Sequence, residues 1–133
     1  MDYILTTLIM TFLLFNLVSG IQAADIALDQ ELKSRNSETA TFALGCFWGP
    51  DASFGALEGV IKTRVGYAGG TTADPSYKEI GDHTETIEIT YDPEIISYEK
   101  LLEIFFDSHN PYTRAYSKQY ASLILYQNQK QQE

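Results

Sequence analysis

The chain has 133 residues, 18 acidic against 9 basic side chains, 44% hydrophobic and 13% aromatic content, and one cysteine. That profile fits one ordinary domain with a core and excludes global disorder, while a formal charge of −9 argues against a nucleic-acid surface, which needs clustered Lys and Arg. One cysteine rules out an intramolecular disulfide, and with two histidines it cannot complete a zinc site of four Cys and His ligands.

Ile4 to Val18 is mostly apolar and is followed by the small residues Ser19, Gly20, Ala23 and Ala24, the order of a secretory signal peptide. The alternatives are an uncleaved membrane anchor and a buried helix. Against the anchor, the apolar run is about 15 residues where roughly 20 are needed to span a bilayer, and Thr11 and Asn16 interrupt it. The expected organisation is a signal peptide over 1–23, a polar linker over 24–39 and a folded module over 40–133. The expected location is secreted, periplasmic or the lumen of the secretory pathway, with membrane anchoring as the alternative.

Within the module, Ala40 to Leu44 is apolar and ends at Gly45, which predicts a first strand. Pro50 suits the first turn of a helix and Asp51 its positive end, so a helix is expected over Pro50 to Leu57. The alternation over Val60 to Val65 predicts a second strand, punctuated by Gly66 to Gly70. Thr71 to His83 reads as a long loop. Thr84 to Tyr91 alternates most regularly, with Ile87, Ile89 and Tyr91 on one face and Thr86, Glu88 and Thr90 on the other. Ser97 can cap a helix to about Ser108 in which Tyr98, Leu101, Leu102 and Phe105 share a face. Tyr120 to Tyr126 is the last predicted strand, after which Asn128 can cap a helix that the chain does not continue. The order strand, helix, strand, strand, helix, strand predicts an α/β (α+β) two-layer sandwich of the ferredoxin-like split βαβ kind. Its sheet would be mixed or antiparallel, with helices on one face.

Cys46 falls between the first strand and the following helix, where unpaired N–H groups favour an anion and hence the thiolate. The competing reading is a small buried hydrophobe. Phe47 and Trp48 follow, and two adjacent aromatics at a turn cannot both enter one core; one of them is expected to line a pocket or the surface. Glu85 shares parity with Ile87, Ile89 and Tyr91, which puts it at the mouth of the buried face, where withdrawal from water favours a protonated acid. If pairing begins only at Thr86, it is instead a solvated loop carboxylate. His83 reads as a turn or structural hydrogen-bonder, and Tyr77 and Tyr120 as phenol donors to a polar ligand.

The series Gly45-Cys46-Phe47-Trp48-Gly49, Gly66-Tyr67-Ala68-Gly69-Gly70, Tyr77, Gly81-Asp82-His83-Thr84-Glu85, Tyr91-Asp92-Pro93, Ile96-Ser97-Tyr98 and Gln119-Tyr120 resembles the A-type methionine sulfoxide reductases, the peptide-methionine (S)-S-oxide reductases. The resemblance covers about Thr41 to Lys130. It implies that Cys46 attacks the sulfoxide sulfur, that Phe47 and Trp48 hold the ε-methyl group, that Glu85 protonates the leaving oxygen, and that Tyr77 and Tyr120 hydrogen-bond it. The implied product pair is methionine and a Cys46 sulfenic acid. The implied substrates are oxidised proteins or free methionine sulfoxide, in the S epimer, with a monomeric enzyme, no bound cofactor, no metal and no nucleic-acid partner.

The chain departs from the family pattern in three ways. It lacks the further cysteines with which many members resolve the sulfenic acid, so an external reductant such as thioredoxin or glutathione is implied. Ala115 stands where many members have Asp, five residues before the second tyrosine. The chain also ends at Glu133, where members usually continue, which implies a C-terminally truncated module. The rival functions are another thiol-dependent reductase and a non-catalytic secreted module that binds methionine-like side chains.

Overall fold

The computed structural model describes residues 36–133 together with Gln22, Ile26 and Ala27. The expected signal peptide and most of the linker therefore lie outside the described residues. Among the described residues no helix is long and apolar enough to cross a membrane.

In chain order the elements are β1 (Glu38–Leu44), α1 (Trp48–Gly55), β2 (Val60–Ala68), β3 (Thr84–Tyr91), α2 (Tyr98–Ser108), a 3-10 turn (Lys118–Tyr120), β4 (Ser122–Ile124) and α3 (Gln129–Gln132). The sheet order is β2-β3-β1-β4, and every described neighbour pair is antiparallel. This is the split βαβ arrangement expected, with β1 and β3 at the centre. Both long helices pack on one face: the Phe42 ring of β1 lies 6.0 Å from Phe54 of α1 and 5.1 Å from Phe105 of α2. Ala40, Phe42, Ile87, Ile89, Tyr91 and Leu101 complete a core withdrawn from water.

β3 has its full predicted length, and from Ile87 to Tyr91 its burial alternates as alternate residues meet that core, while Thr84 and Thr86, of the other parity, are buried as well. β1 starts at Glu38, two residues inside the stretch read as linker. Glu38 pairs with Tyr91, and the Tyr91 hydroxyl donates to Glu38 Oε2 at 2.8 Å. β2 continues three residues beyond Val65, because Gly66, Tyr67 and Ala68 pair with Thr86, Glu85 and Thr84. A partner strand here outweighs the turn preference of glycine. Gly59 does serve a turn: its φ is 91°, and a Cβ would lie 2.7 Å from Ile96 Cγ2.

α1 begins at Trp48 rather than Pro50, so the proline occupies the third helical position, where an N–H still has no intrahelical partner. Ser97 caps α2 as expected, its hydroxyl accepting from Lys100 N at 3.1 Å. The last strand is shorter than the predicted Tyr120 to Tyr126. Lys118–Tyr120 turns as a 3-10 segment before it, because Thr84 Oγ1 donates to the Lys118 carbonyl at 2.8 Å and fixes the chain there. After β4, Asn128 caps the single turn of α3 by accepting from Gln131 N at 3.2 Å. Gln127 Nε2 and Gln131 Nε2 then tie this end to Thr41 Oγ1 and Thr39 O of β1, each at 2.8 Å.

Candidate active site

Three groups of residues meet where β1 ends. The first is the turn Gly45–Phe47. Gly45 has φ 98°, a conformation that releases the strand into α1, and it leaves Cys46 exposed at the helix entry. The reading of this cysteine as a small buried hydrophobe is thereby set aside. Phe47 and Trp48 divide as two neighbouring aromatics at a turn must. Phe47 is buried and Trp48 is 66% exposed, with the rings edge to face at 5.5 Å.

Glu85, at the start of β3, is the second contribution. It is 2% exposed, on the core face as its parity requires, which excludes the solvated-loop alternative. Both carboxylate oxygens accept hydrogen bonds. The Phe47 backbone N–H donates to Oε2 at 3.1 Å, and Gln119 Nε2 donates to Oε1 at 2.7 Å. The first of these joins the carboxyl to the residue next to Cys46, so β1 and β3 fix thiol and carboxyl relative to each other.

Phenols form the third part. Burial, followed by the charges of Glu85, Cys46 and Tyr77, pushes the Tyr120 hydroxyl above its ordinary value of 10.0. Burial, then Glu85 and Tyr77, does the same to Tyr67. Both therefore keep their protons at neutral pH and can donate to an oxygen in the cleft. The Tyr77 phenol, on the exposed long loop, acts electrostatically on both Tyr67 and Tyr120. The sequence-derived residues Cys46, Phe47, Glu85, Tyr77 and Tyr120 are thus brought together, and Trp48 stands at their edge.

Two members of the cluster were not assigned a role from the sequence. Tyr67 pairs with Glu85 across β2 and β3, and its ring is 5.9 Å from Phe47. Reading Gly66–Gly70 as a turn hid it; its shared parity with Thr63 and Val65 was the available signal. Gln119 stands next to Tyr120, and no local pattern in the sequence announces that its amide reaches residue 85.

The long loop is held by Asp82. Its carboxylate accepts from the backbone N–H and the hydroxyl of both Thr71 and Thr72, at 2.8–2.9 Å. Those bonds, Thr72 first, hold the Asp82 carboxyl well below the usual carboxylate range. His83 Nε2 donates to the Thr72 carbonyl at 2.8 Å, the structural hydrogen bond expected of it. Among the described residues no group of three or more His, Cys, Asp or Glu side chains is arranged to hold a metal ion.

This arrangement has counterparts. A family model described as peptide methionine sulfoxide reductase matches residues 38–133. The chain is 50% identical over 96 residues to the peptide methionine sulfoxide reductase of Drosophila melanogaster, covering 71% of this chain and 39% of that one. It is 45% identical over 105 residues to MsrA of Methanococcoides burtonii, covering 72% and 69%. Among solved structures, methionine sulfoxide reductase A of Corynebacterium diphtheriae superimposes with a TM-score of 0.65 at 33% identity, over 71% of this chain and 49% of that one. Reduced Mxr1 from Saccharomyces cerevisiae gives 0.65 at 28% identity, over 69% and 60%. The chain spans well under two thirds of several of these relatives, yet the match takes in every described strand and helix and the whole cluster around Cys46. It belongs to the peptide methionine sulfoxide reductase family.

Proposed function

We propose that this protein reduces the S epimer of methionine sulfoxide, in oxidised proteins or as the free amino acid, to methionine. The observation that carries the reading is the Phe47 N–H to Glu85 bond, which places a buried carboxyl beside an exposed cysteine. The thioether methyl rests against Phe47 and Trp48, an apolar wall that fixes one side of the sulfoxide. The Cys46 thiolate attacks the sulfoxide sulfur as the Glu85 carboxyl gives its proton to the oxygen, and Tyr77 and Tyr120 donate hydrogen bonds to that oxygen. The hydroxyl then passes from the substrate sulfur to the Cys46 sulfur as the S–O bond and the newly formed S–S bond both break, which leaves a Cys46 sulfenic acid and releases methionine, its sulfur having gained the two electrons that the Cys46 sulfur lost. Two external thiols then return Cys46 to the thiol, releasing water and a disulfide. Thioredoxin or a small thiol suits this step, since the chain has one cysteine. The apolar segment 4–18 supports a secreted, periplasmic or luminal location, and the balanced reading is a monomer that needs no bound cofactor.

The test is turnover of the two epimers of a blocked methionine sulfoxide under dithiothreitol. The expected result is reduction of the S epimer alone, none in Cys46→Ser, and a loss of about 10²–10⁴-fold in kcat in Glu85→Gln. Equal reduction of both epimers, or activity surviving in Cys46→Ser, refutes the reading.

A further inference from the structure

A buried carboxyl that must deliver a proton in one direction has to be held against rotation as well as kept from water. Glu85 has one clamp in the Phe47 N–H, which cannot be altered without moving the Cys46 turn. Its other oxygen is met by a side chain from a distant segment, the Gln119 amide at 2.7 Å, closer than the backbone bond at 3.1 Å. Each carboxyl oxygen is thereby left one lone pair, which restricts where the acid proton can sit. The same residue sits in the middle of the 3-10 turn whose last member is Tyr120. That turn is pinned twice to adjacent residues of β3, at Lys118 O by Thr84 Oγ1 and at the Gln119 side chain by Glu85.

We propose that Gln119 is a positioning residue for the reductase reaction: one amide orients the Glu85 acid and, through the turn, sets the Tyr120 phenol against the same oxygen. The inference rests on the reductase reading and adds a residue to it. The other titratable groups that act on this site are Tyr67, which pairs with Glu85 across β2 and β3, and Tyr120 from the turn, which feels the charges of Glu85, Cys46 and Tyr77. Gln119 is uncharged, so its effect is that of a directed donor and not of a net charge.

The test compares Gln119→Met, which keeps the length and removes the donor, with Gln119→Glu, which places a second carboxyl against the first. In Gln119→Met, kcat for the S epimer falls about tenfold, the scale of one hydrogen bond to a charged group, while KM stays within about twofold. Gln119→Glu is slow at about pH 7.5 and recovers relative to wild type toward about pH 5.5, as the introduced carboxyl protonates and donates again; Gln119→Met does not recover. Unchanged kcat in Gln119→Met, or equal slowing of Gln119→Glu at all pH, overturns the proposal. A second measurement follows the Glu85 side-chain carboxyl by carbon-13 NMR. At one fixed pH, loss of the amide donor in Gln119→Met shifts that carboxyl resonance relative to wild type, whether or not the protein turns over. An unshifted resonance overturns the positioning role, whereas a shifted resonance in Gln119→Met together with a wild-type protein that does not turn over overturns the reductase reading alone.

Discussion

Glu85 and Tyr91 stand at the two ends of one face of β3, both withdrawn from water, and they are held by different means. Tyr91 belongs to the aromatic and aliphatic cluster around Phe42, and its hydroxyl needs one outlet, Glu38. Glu85 has no such cluster at its polar end; it has two directed donors, Phe47 N and Gln119 Nε2. The core end is therefore stabilised by area, which is non-directional. The site end is specified by geometry, which any change in one partner disturbs. Mutations at the first should cost stability and spare the chemistry of the molecules still folded; at the second the reverse is expected.

The sharpest way to break this contrast is Phe42→Ala. Phe42 packs within 5.1–6.1 Å of Phe54, Tyr98 and Phe105, and its loss should cost about 3–5 kcal/mol through lost burial and the cavity left behind. Urea unfolding measures it. A loss under about 1 kcal/mol would mean that the core end is not area-driven.

Gly70→Ala probes the loop side of the site. An added Cβ would lie 2.6 Å from Asp82 Oδ1 and 2.7 Å from His83 Cδ2. Neither side chain can yield cheaply, because Asp82 is tied to Thr71 and Thr72 and His83 to the Thr72 carbonyl. The expected cost is roughly 1–3 kcal/mol of overpacking, together with a rise in KM as the loop bearing Tyr77 shifts. Unfolding and steady-state kinetics on one sample separate the two effects.

The smallest effect at neutral pH separates the regions by titration. The Asp82 carboxyl is held low, so its contribution is fully present above an ordinary aspartate value of about 3.9. It declines below that and is gone once pH falls past Asp82's own lowered value. The Tyr91 phenol is pushed up, first by burial and then by Glu38. Its contribution is full below about pH 10 and is lost as pH rises beyond it. Stability should be level between these limits, with the acid limb diminished in Asp82→Asn and the alkaline limb diminished in Tyr91→Phe. Limbs unchanged in those variants would assign them to other groups.

The comparison also accounts for what could be read from residue order. β3 and α2 were legible because each carries its own period: alternation over Thr84–Tyr91, and a helical stripe from Tyr98 to Phe105 behind the Ser97 cap. Cys46, Phe47, Trp48 and Glu85 were legible because a turn, a helix start and strand parity are local facts. Tyr67 was obscured by the glycines around it, since only pairing with β3 makes that stretch a strand. The last strand is shorter than its sequence suggests for the converse reason, that a bond from Thr84 turns the chain at Lys118.

Residue order thus determined the core face, the caps, the place of the solitary cysteine at a helix entry and that of the Glu85 carboxyl in its strand, because each depends on neighbours within a few positions. Tertiary structure alone decided that the Gln119 amide meets the Glu85 carboxyl, 34 residues away, and that Tyr67 shares the cleft with Phe47. A hydrogen bond of that kind depends on the register of β3 against β2 and on where the 3-10 turn lands, and neither leaves a periodic trace in the chain that makes it.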